Sequence, residues 1–178
     1  MSDRGFTLIE LLLTAAVLGI IALAVIPSVQ PYSEQRLDVA AREVAAAISF
    51  ARDETLRTGK PYGVDISAAS QRLRVYRLDT SPSPTPTYDV RNPLDKKLYI
   101  LNFAADPALS GVKVSAVSLY YRGLAGPVDF MNFDAWGTPK YNDSGTIRLL
   151  VSGKILLASG TEERIIMVDP MTGRVTVL

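Results

Sequence analysis

The first thirty residues contain a long apolar run that carries a single acidic side chain. A polar leader, Met1 to Gly5, precedes the run from Phe6 to Val29, and Glu10 is the only side chain charged at neutral pH between Gly5 and Glu34. A helix needs about 20 apolar residues to span a bilayer, so the run is long enough. A carboxylate in such a segment costs roughly 2.5–3.5 kcal/mol on insertion scales. The sequence therefore predicts a membrane helix in which Glu10 has a function.

Two simpler interpretations of this segment are a secretory signal peptide and an uncleaved signal anchor. A secretory signal peptide would end in a small-residue cleavage site, and the residues after the run, Pro27 to Pro31, do not form one. An ordinary uncleaved signal anchor remains open, because it accounts for the hydrophobicity. It does not account for Glu10 or for the string that leads up to it, Gly5 to Ile9.

Composition excludes several classes of function. Lys and Arg number 19 and Asp and Glu number 18, so the net charge of +1 gives no basic excess that would favour nucleic acid. Cysteine and histidine are both absent, which removes disulfides, thiolate nucleophiles, Cys/His zinc sites and histidine-based triads. We expect a protein that is not an enzyme, with no catalytic residues, no cofactor and no metal site.

The sequence contains two weaker candidate sites, one for calcium in the second half of the chain and one for DNA in its middle. Oxygen-bearing side chains collect at Asp129, Asn132, Asp134, Asn142 and Asp143, but their spacing fits no calcium-binding loop and turns favour Asp and Asn for conformational reasons. Arg72, Arg74 and Arg77, with Tyr76, could form a basic strand face for DNA. Strand alternation turns Arg77 away from the other two arginines. Neither calcium nor nucleic acid is therefore expected.

The apolar run gives way to an amphipathic helix. Pro27 and Pro31 interrupt the helical hydrogen-bond ladder and predict a kink. Apolar and small residues then recur at intervals of three and four from Leu37 to Thr55, with charged residues mostly between them. Gly59, followed by Pro61, is a typical helix stop. The sequence thus predicts a transmembrane or assembly helix over 6–30 and an amphipathic helix over 31–59.

Short runs typical of β-strands replace the helical period in residues 60–178. Turn residues separate them, and no helical segment intervenes, which predicts an antiparallel sheet. The end of the chain resembles a hairpin around the turn from Asp169 to Gly173, and Trp136 is expected to pack in the core or in its turn. The segment 80–93 begins with alternating Ser, Pro and Thr and predicts an exposed loop. The expected strands are Tyr62 to Ile66, Gln71 to Leu78, Leu98 to Phe103, Val112 to Leu119, Val128 to Phe133, Ile147 to Val151, Ile155 to Leu157, Arg164 to Val168 and Arg174 to Leu178.

The N-terminal string resembles a known processing signal. Gly5-Phe6-Thr7-Leu8-Ile9-Glu10, followed by the apolar run, is similar to the class III signal of type IV pilins and type II secretion pseudopilins. The resemblance implies a leader of residues 1–5, cleavage between Gly5 and Phe6 by a prepilin peptidase, and N-methylation of Phe6. It also implies that Glu10 pairs with the Phe6 ammonium of a neighbouring subunit during assembly. An ion pair would offset part of the cost of two charges in hydrocarbon. The alternative is that Glu10 merely reaches the headgroups from the helix end.

The second half of the chain resembles the head of GspH/FimT-type pseudopilins. The resemblance rests on Phe133 to Pro139, Gly145 to Leu149, Glu163 to Val168 and Gly173 to Val177, and on Ala45 to Gly59 in the helix. It implies the α+β, pilin-like lollipop: a long N-terminal helix, half transmembrane and half amphipathic, packed on an antiparallel β head.

The same resemblance implies a function and a location. The expected role is a minor pseudopilin of a type II secretion pseudopilus, at or near its tip, with a FimT/FimU-like minor type IV pilin as the alternative. The implied partners are the prepilin peptidase, other pilins or pseudopilins in a helical filament, and the inner membrane, with the head in the periplasm. A DNA-capturing pilin and a membrane-anchored hydrolase are more distant rivals.

Overall fold

The computed structural model describes residues 7–25, 32–79 and 84–178. These residues fall into two compact units, within Met1–Tyr32 and Ser33–Leu178. The first unit holds helix α1, Leu8–Val25, and the second begins with helix α2, Tyr32–Thr58. Gly5, Phe6 and the predicted kink at Pro27 and Pro31 lie outside the described residues.

The second unit is one helix packed on a large antiparallel sheet, which confirms the α+β class. Hydrogen-bonded neighbours follow the order β10-β9-β8-β7-β6-β1-β2-β3, while β4 pairs with β2 and β5 with β8. A short 3-10 helix, Pro107–Leu109, lies between β4 and β5. The strands are β1 Tyr62–Ser67, β2 Arg72–Asp79, β3 Thr85–Thr87, β4 Ile100–Asn102, β5 Lys113–Tyr121, β6 Phe130–Phe133, β7 Pro139–Asp143, β8 Thr146–Ser159, β9 Glu162–Val168 and β10 Val175–Val177.

Helix α2 forms where the sequence period predicts it, and its small-residue stripe forms the centre of the core. The stripe is fully buried, with each side chain 0% exposed. Alanine lets the helix axis approach the sheet closely, and the stripe packs against inward-facing residues of several strands, such as Ile66, Met131 and Ile155. The stripe consists of Leu37, Ala40, Ala41, Val44, Ala47, Ile48 and Ala51.

The helix ends in a polar connection to the sheet. Gly59 has φ 68°, the left-handed conformation of a helix C-terminus, and its N–H donates to the carbonyl of Thr55 at 2.8 Å. The buried hydroxyl of Thr55 donates to the carbonyl of Ala51 and accepts the N–H of Tyr62, each at 2.9 Å. Thr55 therefore fixes the entry into β1, one turn beyond the buried stripe.

The long strand β8 differs from the two separate strands predicted at Ile147–Val151 and Ile155–Leu157. It runs unbroken through Gly153. The glycine does not mark a turn but allows close packing, since a Cβ at this position would lie 3.0 Å from the Cβ of Val168. The first part of β8 pairs with β7, and its later part pairs with β5 and β9. One strand thus belongs to both halves of the sheet.

Two other strands lie outside the predicted pattern. The loop predicted over 80–93 contains β3, which pairs with β2 at the edge of the sheet. Pro86 lacks an N–H donor, and an edge strand tolerates this because no further strand pairs with its outer side. Strand β7, Pro139–Asp143, was missed because proline, asparagine and aspartate disfavour strands. It forms because β6 and β8 pair with it on its two sides.

The predicted C-terminal hairpin is confirmed, and a close contact holds its turn. Strand β10 pairs with β9, and Gly173, with φ 65°, ends the connecting turn. A Cβ at Gly173 would lie 2.5 Å from the carbonyl oxygen of Gly137 and 2.9 Å from the ring of Phe133. The β9–β10 turn and the β6–β7 turn therefore touch at this glycine.

We expect Gly173→Ala to lower the free energy of unfolding by roughly 2–4 kcal/mol, because backbone strain and overpacking add at this site. The matched control is Gly59→Ala, which has a similar positive φ but no atom within 4 Å of the new Cβ, and should cost about 1 kcal/mol. Denaturant unfolding of the full-length protein in detergent micelles measures both. Equal losses in the two variants would contradict the packing argument.

Candidate functional site

The first described turn of α1 carries the predicted assembly residue. The carbonyl of Thr7 accepts the N–H of Glu10 at 3.0 Å and that of Leu11 at 3.2 Å, which starts the helix. Glu10 is exposed in this first turn, and its carboxylate forms no hydrogen bond or ion pair with any described residue. An acid near a helix N-terminus is favoured by the helix dipole. The carboxylate is thus presented outward and available to a cation.

Helix α1 has an apolar surface on all sides. Its large apolar side chains from Leu8 to Ile20 are 49–77% exposed. A helix that is apolar all round is stable only when lipid or other helices cover it. Within the described residues, however, no helix meets the length and hydropathy required to cross a membrane.

Two arginines on α2 and β9 join the helix to the C-terminal hairpin. Arg164 on β9 donates to Asp38 at 2.7 Å and to Glu34 at 3.2 Å, both near the start of α2. Further along α2, Arg52 donates through Nε to the carbonyl of Thr172 at 2.9 Å, in the turn before β10. These polar contacts fix the hairpin against two points along the helix.

The β6–β7 turn is built around Asp134. Its carboxylate accepts the N–H groups of Trp136 at 3.0 Å and Thr138 at 2.9 Å, and pairs with Lys140 at 2.6 Å. Burial opposes the charge, but the Lys140 ammonium and the two N–H donors outweigh it and lower the pKa of Asp134. The expectation that Trp136 packs in the core or in its turn is wrong: its side chain is 84% exposed. The turn is held by its backbone contacts to Asp134, which leave the indole in solvent.

Two of the five oxygen-bearing side chains considered for calcium pair with cations of the protein. Asp134 pairs with Lys140, and Asp143 pairs with Arg148 at 3.0 Å. Among the described residues, no group of three or more acidic side chains is arranged to hold a metal ion.

The basic strand face considered for DNA does not form. Arg74 pairs with the buried carboxylate of Asp65, which is 4% exposed, and its guanidinium lies 4.0 Å from the centre of the Tyr88 ring. Tyr76 is itself buried, and its hydroxyl lies against the carbonyl of Met131. Strand alternation predicts that Arg77 points away from Arg72 and Arg74, but it cannot show that Asp65 neutralises Arg74.

Asp65, Arg74 and Tyr88 form a closed polar cluster on the outer face of the sheet. The Tyr88 hydroxyl donates to Asp65 at 3.0 Å, and the Arg74 Nε donates to the same oxygen at 3.1 Å. Burial, then the charge of Asp65 and this hydrogen bond, raise the pKa of Tyr88 to about 12. Burial and the nearby charge of Asp65 also raise the pKa of Asp129. The cluster ties the chain after β3 onto strands β1 and β2.

The sequence matches the description "prokaryotic N-terminal methylation motif" over residues 1–26. No curated protein matches the chain significantly.

Solved structures share the fold of the larger unit. Two structures of the minor pseudopilin EpsH from the type II secretion system of Vibrio cholerae match with TM-scores of 0.51 and 0.52, at 14% and 13% identity. The matches cover 80% and 81% of this chain and 96% and 94% of EpsH. The type IV minor pilin FimU of Pseudomonas aeruginosa matches with a TM-score of 0.48 and 14% identity, over 82% of this chain and 90% of FimU.

Acid should weaken the head through Asp134. Because its pKa is lowered in the folded state, the stabilisation is complete at neutral pH and is lost as pH falls below about 4 toward the folded-state pKa. Asp134→Asn keeps an oxygen acceptor but loses the charge. We expect the melting temperature of this variant to be below that of the wild type at pH 7 and close to it at pH 2. Circular-dichroism melting of both proteins across this range is the measurement. A constant difference at all pH values would contradict the role of the charge.

The two comparisons concern different parts of the molecule and agree with each other. The motif covers the N-terminal segment that bears Glu10, and the likeness to EpsH covers 80% and 81% of the chain in its two structures. This chain therefore combines a prokaryotic N-terminal methylation motif with a fold similar to that of the minor pseudopilin EpsH.

Proposed function

We propose that the protein is a minor pseudopilin, a structural subunit at or near the tip of a type II secretion pseudopilus that supports filament assembly and export. The observation that carries this proposal is the exposed carboxylate of Glu10, which has no ion-pair or hydrogen-bond partner among the described residues. It lies on the first turn of an apolar helix, within a methylation motif. The fold shared with EpsH, a minor pseudopilin of a type II secretion system, supports the same function. The subunit performs no chemistry itself.

The proposed maturation begins in the membrane. A prepilin peptidase removes residues 1–5 and methylates Phe6, and the segment 6–30 anchors the chain in the inner membrane with the head, 60–178, in the periplasm. Helix α2, Tyr32–Thr58, follows the anchor segment in the chain and packs on the sheet of the head. Phe6 and Glu10 lie about one helical turn apart along the chain. An adjacent subunit displaced along the filament can therefore set its Phe6 ammonium beside Glu10.

The charge pair supplies specificity in this proposal. Two isolated charges in hydrocarbon are costly, and an ion pair recovers part of that cost only when the two subunits adopt one axial displacement. The apolar surface of α1 can slide against lipid or another helix without a preferred register. Glu10 therefore selects the register, while the apolar side chains provide the contact area.

A minor type IV pilin of the FimT/FimU-like kind is the second candidate, because the same N-terminal motif serves both systems. Such a subunit would act in pilus assembly, adhesion, twitching or DNA uptake. The two functions differ in the defect that the chain would relieve, loss of protein secretion or loss of pilus-dependent motility. The likeness to EpsH shows a shared fold, and the defect that the chain relieves is what separates the two functions.

Loss of the Glu10 charge should impair assembly and not insertion. We expect Glu10→Gln to reduce incorporation into filaments by about tenfold or more, which corresponds to about 1.4 kcal/mol, while membrane association is unchanged. Thr14→Val is the matched control: Thr14 lies on the same helix face one turn later, and its hydroxyl donates to the Leu11 carbonyl of its own helix at 2.9 Å. Immunoblotting of sheared filaments and of membranes gives the two quantities. Normal incorporation of Glu10→Gln would refute the assembly role.

Processing has a direct signature at the N-terminus. Mass spectrometry of the protein extracted from membranes should show a chain that begins at N-methylated Phe6, because cleavage follows Gly5 in the proposed maturation. Gly5→Val, which adds a branched side chain at the cleaved bond, should leave the leader attached. A wild-type chain that retains Met1 would refute processing and, with it, the filament function.

A further inference from the structure

A cleft on the head lies between the C-terminal half of α2 and the segment that follows β3. Its volume is about 440 Å³, and it is open to solvent. Phe50 and Tyr62 contribute aromatic surface, and Phe50 stacks against Tyr99 with ring centres 5.2 Å apart. We call this feature the basic cleft. It is lined by Phe50, Glu54, Arg57, Tyr62, Arg77, Asp89, Val90, Arg91, Asn92, Pro93 and Lys96.

The charges of the basic cleft do not balance. Arg57 pairs with Glu54 at 2.7 Å, and Arg77 pairs with Asp89 at 3.0 Å, so each carboxylate in the lining already has a cation. The two remaining cations, Arg91 and Lys96, form no ion pair with any residue in the described part of the chain. The cleft therefore carries two uncompensated positive charges in a molecule whose overall net charge is +1.

The loop that presents these two cations is held rigidly by its own hydrogen bonds. The N–H of Asn92 donates to the Lys97 carbonyl at 2.9 Å, and that of Lys96 donates to the Asn92 carbonyl at 3.0 Å. Arg91 donates through one guanidinium nitrogen to the Lys96 carbonyl at 2.8 Å. Lys96 has φ 60°, which a non-glycine residue adopts only when its surroundings hold it there. The backbone that carries both cations, and the Arg91 guanidinium itself, are thus held in place by the loop.

The tip of this loop is exposed and apolar. Leu94 is 88% exposed, and its N–H is held by the side-chain oxygen of Asn92 at 2.9 Å. The loop therefore keeps its shape by hydrogen bonding and does not need to bury its leucine. An exposed apolar side chain next to cations on a hydrogen-bonded loop is typical of a surface that contacts another protein.

We propose that the basic cleft binds an extended acidic segment of a partner protein, whose carboxylates pair with Arg91 and Lys96. Positive and negative side chains both line the cleft, and this favours a peptide. The amide groups and occasional cations of a peptide can face Glu54 and Asp89, the two carboxylates that already pair with arginines. A nucleic acid carries a phosphate at every nucleotide and would meet these carboxylates unfavourably. This site does not depend on filament assembly.

Binding of a labelled hexaglutamate peptide to the full-length protein in neutral detergent tests the proposal. Fluorescence anisotropy at low salt should show saturable binding that weakens as NaCl is added. Lys96→Asn should weaken it about threefold or more, since an exposed ion pair contributes up to about 1 kcal/mol. Asparagine tolerates the left-handed backbone at this position, so the loop should keep its conformation.

The matched control is Lys97→Asn, the same chemical change one residue further along, at a lysine that does not line the cleft. It should leave the affinity for hexaglutamate within twofold of the wild type, a bound set by the small energies of exposed charges. Equal weakening by the two variants, or no saturable binding at all, would overturn the proposal. Binding of single-stranded DNA of the same length as tightly as the peptide would also overturn it, since the site would then be a general anion site.

Discussion

The burial of one narrow stripe of α2 against the sheet is the interaction on which the head depends. Four of its seven fully buried residues are alanines, which lets the helix backbone lie close to the strands. A stripe of small side chains alone would allow the helix to slide or rotate. Arg164 and Arg52 prevent this by bonding the helix to the C-terminal hairpin at two separate points. Apolar burial supplies the energy, and the arginines supply the orientation.

Charges are used in two different ways on the surface of the head. In the cluster of Asp65, Arg74 and Tyr88 each polar group is satisfied by another, and the result ties down the chain after β3. In the basic cleft Arg57 and Arg77 are neutralised while Arg91 and Lys96 are left without carboxylates in the described structure. The first arrangement is complete in itself and stabilises the fold. The second is complete only with an acidic partner, which is why we infer an interaction there.

The sequence predicted most helices and strands but not how the strands share partners. Helix α2 followed from a 3.6-residue period, and the closing hairpin followed from turn residues between β-branched runs. Strand β7 and the continuity of β8 escaped prediction, because both depend on pairing with strands distant in sequence. Trp136 was misplaced for a related reason: aromatic character suggests burial, but the Asp134 turn directs this side chain outward. Local pattern cannot report such tertiary effects.

The candidate sites divide in the same way. Glu10 could be identified from sequence alone, because a lone acid in a long apolar run is costly wherever the chain folds. Thus the sequence by itself determined the unusual N-terminal segment, the helix period and the antiparallel class, all of which arise from neighbours along the chain. Only the tertiary structure decided which arginines are neutralised, that Arg91 and Lys96 have no carboxylate partner within the described ranges, and that they line one cleft with Phe50. Those outcomes depend on distances between residues far apart in sequence, which folding alone establishes.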